Sequence, residues 1–263
     1  MKSSRTMSSK SLCGIMILIA VTVCAMPLSC NTAVNSKSSK VQKDAVSQIG
    51  FYETYSWDEV AEAFINLNNE VKKQNTKPDE LTLEQILNNR IDSDSWSKPE
   101  YNNPTPVIGH SLAEDTARVN SIITQYGAKF LPQDLKLAWT IKPYKPYRDF
   151  QGPECYELIA LKALDGKPYM TGESIVSAMK ETTPDGQYCM SFRFDDLGTQ
   201  QFSQLTARNI NRYLATVIKG KVYSYPMVMC QVENGNVQVA GNFTEEEIND
   251  LIGFIYGKSL LSL

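Results

Sequence analysis

Apolar residues along this chain fall into two rhythms, one of helical period and one that alternates, and the switches between them mark its elements. Ser56-Trp57-Asp58-Glu59 has the form of a capping box, and Val60, Ala63, Phe64, Leu67 and Val71 follow at helical spacing. Thr82-Leu83-Glu84-Gln85 offers a second such start, with Ile86 and Leu87 behind it. Between them Gln74 to Glu80 is polar and contains Pro78. Ile91 to Pro106 is polar again, with Pro99, Pro104 and Pro106, and reads as a linker or exposed loop. Ser111-Leu112-Ala113-Glu114 predicts the cap of a helix carrying Leu112, Thr116, Val119, Ile122 and Ile123, which ends near Gly127.

The alternating rhythm takes over next. Leu135 to Ile141, Cys155 to Ala163 and Tyr188 to Phe194 read as strands, the last with Tyr188, Met190, Phe192 and Phe194 on one face. Thr199 to Arg208 is helical, with Phe202 and Leu205 turned inward. Tyr213 to Ile218 and Val222 to Tyr225 form a hairpin about Lys219-Gly220-Lys221. The pattern predicts a second hairpin, Val228 to Val232 and Val237 to Ala240, about Asn234-Gly235. A last helix starts at Thr244, where Glu247 reaches back to complete a capping box and Phe243 can staple onto Ile248. Ile248, Leu251, Ile252 and Ile255 make its apolar face, and Gly257 stops it. Hairpins dominate over crossovers, so the expected class is α+β: an antiparallel β-sheet with packed helices, preceded by a short helical segment.

The N-terminus follows neither rhythm. Lys2, Arg5 and Lys10 precede an unbroken apolar run from Leu12 to Val23, and Ser29 stands directly before Cys30. Basic, apolar and small-residue segments in that order are those of an export signal. Pro27-Leu28-Ser29-Cys30 resembles a lipobox, although that pattern prefers leucine where Pro27 sits. The expectation is lipidation of Cys30 after removal of residues 1–29. Ordinary cleavage near Ala25 and an uncleaved anchor are the alternatives, the run being short of the roughly 20 residues of a spanning helix. All three outcomes place the remainder outside the cytoplasm, facing the periplasm of a bacterial envelope. Residues 30–43, rich in Ser, Asn, Thr and Lys, read as a flexible tether. Residues 44–104 then form a helical segment with its linker, and 105–263 the main domain.

Composition removes several function classes. The formal net charge is −3 and the basic residues form no dense run, which argues against a nucleic-acid binder. Of six cysteines, Cys13 and Cys24 leave with the signal and Cys30 carries the lipid. Cys155, Cys189 and Cys230 have no metal-ligand spacing, at most one disulfide can form among them, and core packing is expected for all three.

A resemblance is carried by words in fixed order. They begin with Val107-Ile108-Gly109-His110-Ser111-Leu112, Asp115-Thr116-Ala117-Arg118-Val119-Asn120 and Leu131-Pro132-Gln133-Asp134-Leu135-Lys136. Trp139-Thr140-Ile141-Lys142-Pro143, Tyr156-Glu157-Leu158-Ile159-Ala160-Leu161-Lys162 and Gly172-Glu173-Ser174-Ile175 continue them. Leu205-Thr206-Ala207-Arg208-Asn209-Ile210, Leu214-Ala215-Thr216-Val217, Gly220-Lys221-Val222-Tyr223-Ser224-Tyr225-Pro226 and Gly241-Asn242-Phe243-Thr244-Glu245-Glu246-Glu247 complete the series. From Pro106 onward the chain thus resembles the periplasmic region of SecD and of fused SecDF proteins, chiefly the head of the first periplasmic domain. The resemblance implies contact with exported polypeptides or Sec translocon components, and no cofactor. In that family the work is attributed to proton flow through membrane helices. No apolar stretch of spanning length follows the signal here, and the Asp-Leu-Gln-Gly-Gly stretch that begins the family's base is missing. The proton-coupled part is therefore expected to be absent, leaving a non-catalytic accessory or binding role; a scaffolding lipoprotein that reuses the fold is the other reading.

Residues with chemistry to offer each have a structural explanation. His110, the single histidine, lies just before the expected cap and has no second histidine for a zinc site and no nucleophile in view. Asp195-Asp196 lies between a strand and a helix, which suits Asp196 to turn or N-capping duty. Glu245, Glu246 and Glu247 occupy a first helical turn, where negative charge favours the helix dipole over calcium. The aromatic face of Tyr188 to Phe194 reads as core rather than a peptide-binding surface. Tyr144, Tyr147 and Phe150, interleaved with Lys145, Pro146 and Arg148, are either an exposed contact patch or folded back onto the domain. No catalytic or metal-binding residue is expected, and no protein-binding residue is assigned.

Overall fold

In the computed structural model, residues 40–75, 80–88, 104–145 and 151–257 are described, and they fall in one compact unit. The first part runs α1 (Lys43–Val46), β1 (Ile49–Glu53), α2 (Trp57–Gln74), α3 (Leu83–Asn88), β2 (Val107–Leu112) and α4 (Thr116–Tyr126). Then come β3 (Leu135–Trp139), β4 (Cys155–Lys162), β5 (Met170–Thr171), β6 (Ile175–Thr182) and β7 (Tyr188–Phe194). The chain finishes with α5 (Asp196–Arg208), β8 (Leu214–Ile218), β9 (Lys221–Ser224), β10 (Asn236–Phe243) and α6 (Glu245–Ile255). The class is α+β. Its strands form three antiparallel sheets, in the orders β5-β1-β8-β9, β10-β7-β6 and β2-β4-β3.

The sheet containing β1 and β8 is buried on both faces, because its alternate residues serve two cores. Phe51 and Ile218 face one core with Phe192 and Phe194 of β7, Leu205 of α5 and Ile248 of α6. Phe51 meets Phe192, Phe194 and Phe202 edge-on, at centroid distances of 6.3, 5.5 and 5.6 Å, a favoured ring geometry. Tyr52, Ala215 and Val217 face the other way, onto Ile159 and Leu161 of β4. The opposite side of β4 presents Leu158 and Ala160 to a third core, built with Phe64 and Leu67 of α2, Leu83 and Leu87 of α3 and Val119 of α4.

Local signals set the ends of several elements. Both capping boxes form: Ser56 with Glu59 starts α2, and Thr244 with Glu247 starts α6. Thr82 and Gln85 exchange the same pair of bonds ahead of α3. The tight β8–β9 turn has Lys219 and Gly220 both at positive φ, 50° and 77°, as a type I′ hairpin requires.

Four expectations are corrected. Ser111 caps no helix; it is the fifth residue of β2, and a short 3₁₀ turn at Ala113–Asp115 leads into α4 instead. Asp195, not Asp196, is the N-cap of α5, accepting from the Gly198 amide at 2.7 Å. The second hairpin is absent, because β10 pairs with β7, while Val228 makes only an isolated bridge to Ile210. Residues 44–104 are not purely helical: β1 lies among them and pairs with β8 over five residues, from Ile49↔Ile218 to Glu53↔Leu214. Residues 1–29, Cys30, most of the tether, the linker at 89–103, Tyr147 and Phe150 lie outside the described residues.

Candidate functional site

β4 reads Cys155-Tyr156-Glu157-Leu158-Ile159-Ala160-Leu161-Lys162, an apolar run with one carboxylate in it. Alternation puts Glu157 on the same face as Ile159 and Leu161, toward the joint with the neighbouring sheet. There it is 8% exposed. A carboxylate so placed must find partners, because losing its water costs several kcal/mol otherwise, on the order seen for uncompensated buried charge.

A hydrogen bond from Tyr225 reaches the carboxylate, the His110 imidazole lies close to it, and Thr140 holds the Glu157 backbone. The Tyr225 hydroxyl, just past β9, donates to Glu157 Oε2 at 2.6 Å. His110 stands directly opposite Glu157 in the β2–β4 ladder and brings Nε2 to 3.4 Å from Oε1. Thr140, just past β3, gives its amide to the Glu157 carbonyl at 3.0 Å and accepts the Glu157 amide on Oγ1 at 3.1 Å. The Tyr144 ring packs on the imidazole with centroids 4.4 Å apart and planes inclined at 47°. Burial, and after it the Glu157 charge and hydrogen bond, push the Tyr225 hydroxyl well above the usual phenol range, so it stays a donor at every working pH. His110 Nε2 is itself buried and makes no hydrogen bond.

The arrangement is a clasp across the strands, closed by the Tyr225 hydrogen bond and the nearby imidazole. Ser111 follows His110 but points to the opposite face of β2, where its Oγ is buried without a hydrogen-bond partner, so the two cannot form a nucleophile–base pair. What the cluster can do is hold one carboxylate between an imidazole and a phenol, and so lock β2, β4 and the end of β9 together.

Other singled-out residues fall elsewhere. Met190, Phe192 and Phe194 are core, with Tyr188 packed at its margin. Tyr144 folds back onto His110. Glu245 accepts from Lys180 and from the Tyr188 hydroxyl, and Glu247 accepts from Lys142 and caps α6. Cys155 and Cys189 are buried as expected, but Cys230 is exposed, because the stretch around it is irregular loop rather than strand. Glu157 and Tyr225 were not singled out by the sequence; the one available signal was a charged residue inside an apolar strand. Among the described residues no helix is long and apolar enough to cross a membrane.

Residues 154–261 match the family described as SecDF, P1 head subdomain. The protein translocase subunit SecD of Magnetococcus marinus is 32% identical over 100 residues, which are 38% of this chain and 18% of that protein. SecD of Rhodothermus marinus is 28% identical over 147 residues, 56% of this chain and 23% of the relative. The chain therefore spans about a fifth of the length of these relatives. A solved structure described as "Structure and function of a membrane component SecDF that enhances protein export" aligns over 81% of this chain and 94% of its own, at 18% identity and a TM-score of 0.35. The match over residues 154–261, with the SecD relatives, makes this part of the chain similar to the P1 head subdomain of SecDF.

Proposed function

We propose that this protein is a lipoprotein tethered to the bacterial membrane through Cys30, whose SecD-like head is a non-catalytic accessory that binds exported polypeptides or Sec translocon components in the periplasm. The observation that carries the reading is the family match over residues 154–261. The basic and apolar order of the first 29 residues supports export, and Ser29-Cys30 supports the lipid. In this reading residues 30–43 are a tether, and residues 44–104 and 105–263 are built around shared strands.

Two measurements test it. Cells fed an alkyne fatty acid should label the wild-type chain and leave Cys30→Ala unlabelled; equal labelling, or none, rules out the anchor. Crosslinking in intact cells should join the protein to Sec components or to nascent exported chains. Recovery of one fixed, unrelated envelope protein instead would assign the head to scaffolding.

A further inference from the structure

β6 is the outer strand of the sheet β10-β7-β6, so among the described residues one of its edges has no strand beside it. Such an edge presents a row of backbone donors and acceptors, and stable proteins cover or blunt it. Here the covering is specific. The Tyr256 hydroxyl accepts the Ala178 amide at 3.0 Å and donates to the Ala178 carbonyl at 3.1 Å. A neighbouring strand would offer one acceptor and one donor to that residue. Tyr256 supplies both from a single oxygen.

Tyr256 directly follows α6, and α6 is fastened to the same strand near its other end. Lys180 of β6 pairs with Glu245, the first residue of α6, and the Tyr188 hydroxyl donates to Glu245 at 3.1 Å. Ile248 and Leu251 hold the middle of the helix in the core. α6 thus lies over β6, seated in the core by Ile248, Leu251 and Ile255, with an exposed ion pair to β6 at one end and the Tyr256 hydroxyl on the β6 edge at the other. Exposed ion pairs contribute little. β6 also keeps Val176 and Met179 half exposed, at 51% and 50%, where most large apolar residues of the sheets are buried.

We propose that β6 is a strand-addition site for an extended polypeptide, that Tyr256 holds it closed as an internal substitute for the missing strand, and that release of its hydroxyl from Ala178 opens it. The inference rests on the polypeptide-binding reading above and locates it on one edge. An extended chain is the occupant because only a backbone repeats the donor and acceptor that Tyr256 supplies once, while Val176 and Met179 offer apolar contact to its side chains. In the register with β7, Ala178 and Lys180 oppose Phe192 and Met190 in the same alternation, so the amide of Lys180 continues the outward row that Ala178 begins.

The test uses the full chain in detergent and a permanently unfolded probe, reduced and carboxymethylated lactalbumin carrying a fluorophore, read by anisotropy. Tyr256→Phe keeps the ring and removes the plug; it should bind the probe about tenfold more tightly than wild type, the scale of two net hydrogen bonds to an edge. A photocrosslinking residue at Met179 should capture the probe. Ala178→Pro in the Tyr256→Phe background deletes the outward amide and should cancel the gain, provided its urea midpoint shows that the fold tolerates the fixed φ and the added ring atoms. Equal affinity for wild type and Tyr256→Phe, or capture at sites away from β6, overturns the inference while polypeptide binding stands. Absence of binding by both overturns the inference and the polypeptide-binding reading with it. Crosslinking of Met179 to a second copy also overturns it, since the edge would then serve self-association.

Discussion

Tyr225 and Glu157 meet at 2.6 Å across the joint of two sheets, although 68 residues separate them. Their contact holds a carboxylate where an apolar side chain would be expected, and it fixes the end of β9 to the middle of β4. His110 approaches the same carboxylate from β2, and Thr140 holds its backbone from the end of β3.

Tyr225→Phe should therefore cost more than an ordinary hydrogen bond. It leaves Glu157 Oε2 in place with its donor gone, and a buried polar group that loses its partner costs about 1–3 kcal/mol, with more for a charged one. The urea midpoint should fall with an unchanged m-value. Changing both partners, Tyr225→Phe with Glu157→Gln, should recover part of the loss. An unchanged midpoint in Tyr225→Phe would mean that water replaces the phenol at no cost and that no clasp exists.

Acid stability should depend on Glu59. Burial raises its pKa, but the Arg212 hydrogen bonds, the Ser56 amide and Lys162 outweigh burial and hold the carboxyl down at about 2. Arg212 reaches both carboxylate oxygens, at 2.8 and 2.7 Å, and Lys162 reaches Oε1 at 3.2 Å. The unfolded chain titrates near 4.5, so this stabilisation is complete above that pH and is lost as pH falls toward 2. Glu59→Gln should flatten the acid limb of a stability–pH curve in that window and cost about 1 kcal/mol at neutral pH, since solvent screens these partly exposed groups. Tyr55 gives the opposite sign. Burial and its bond to Asp134 push its hydroxyl up to about 12, so its contribution is intact below pH 10 and fades from there toward 12. Tyr55→Phe should flatten that alkaline limb.

The parts of this fold written in local chemistry were legible, and the parts decided at a distance were not. Ser56 with Glu59 and Thr244 with Glu247 announce their helices within four residues. Tyr188 to Phe194 was legible because its large side chains, Tyr188, Met190, Phe192 and Phe194, share the core-facing side, while the small Cys189 and Ser191 on the other side are buried too. β1 escaped because Ile49-Gly50-Phe51-Tyr52 is buried on both faces and so shows no alternation. Asn234-Gly235 is a strong hairpin signal, yet β10 pairs with β7 across the inserted α5, β8 and β9, a choice made by the apolar faces of the whole sheet. Likewise His110 and Glu157 become neighbours only through the β2–β4 register. Glu157 inside an apolar run was the one local hint of the clasp.

Thiol reactivity should separate the cysteines cleanly. Cys230 lies exposed in loop, whereas Cys155 and Cys189 are buried, and burial pushes the Cys189 thiol up, away from the reactive thiolate. Brief maleimide treatment of the native protein, followed by intact mass measurement, should add one label, and Cys230→Ser should add none among these three. Labelling of Cys189 at the native rate of Cys230 would show that the β6–β7 region opens far more readily than its packing implies.

Gly198 offers a case in which helix propensity and packing disagree. It sits in the first turn of α5, where alanine is favoured over glycine by about 1 kcal/mol on propensity alone. A Cβ added there would lie 2.4 Å from Ser174 Cβ and 3.0 Å from Phe194 Cβ. Both are backbone-anchored atoms, so no rotamer change relieves the contact, and α5 must move away from β7. Overpacking of this kind costs typically 1–3 kcal/mol, which exceeds the propensity gain. Gly198→Ala should therefore destabilise by up to about 2 kcal/mol in urea unfolding. Ser174→Gly in the same chain removes the closer of the two clashes and should restore part of that loss. A stabilised Gly198→Ala would show that α5 can shift freely, and that its close seating on β6 and β7 does not hold that end of the sheet.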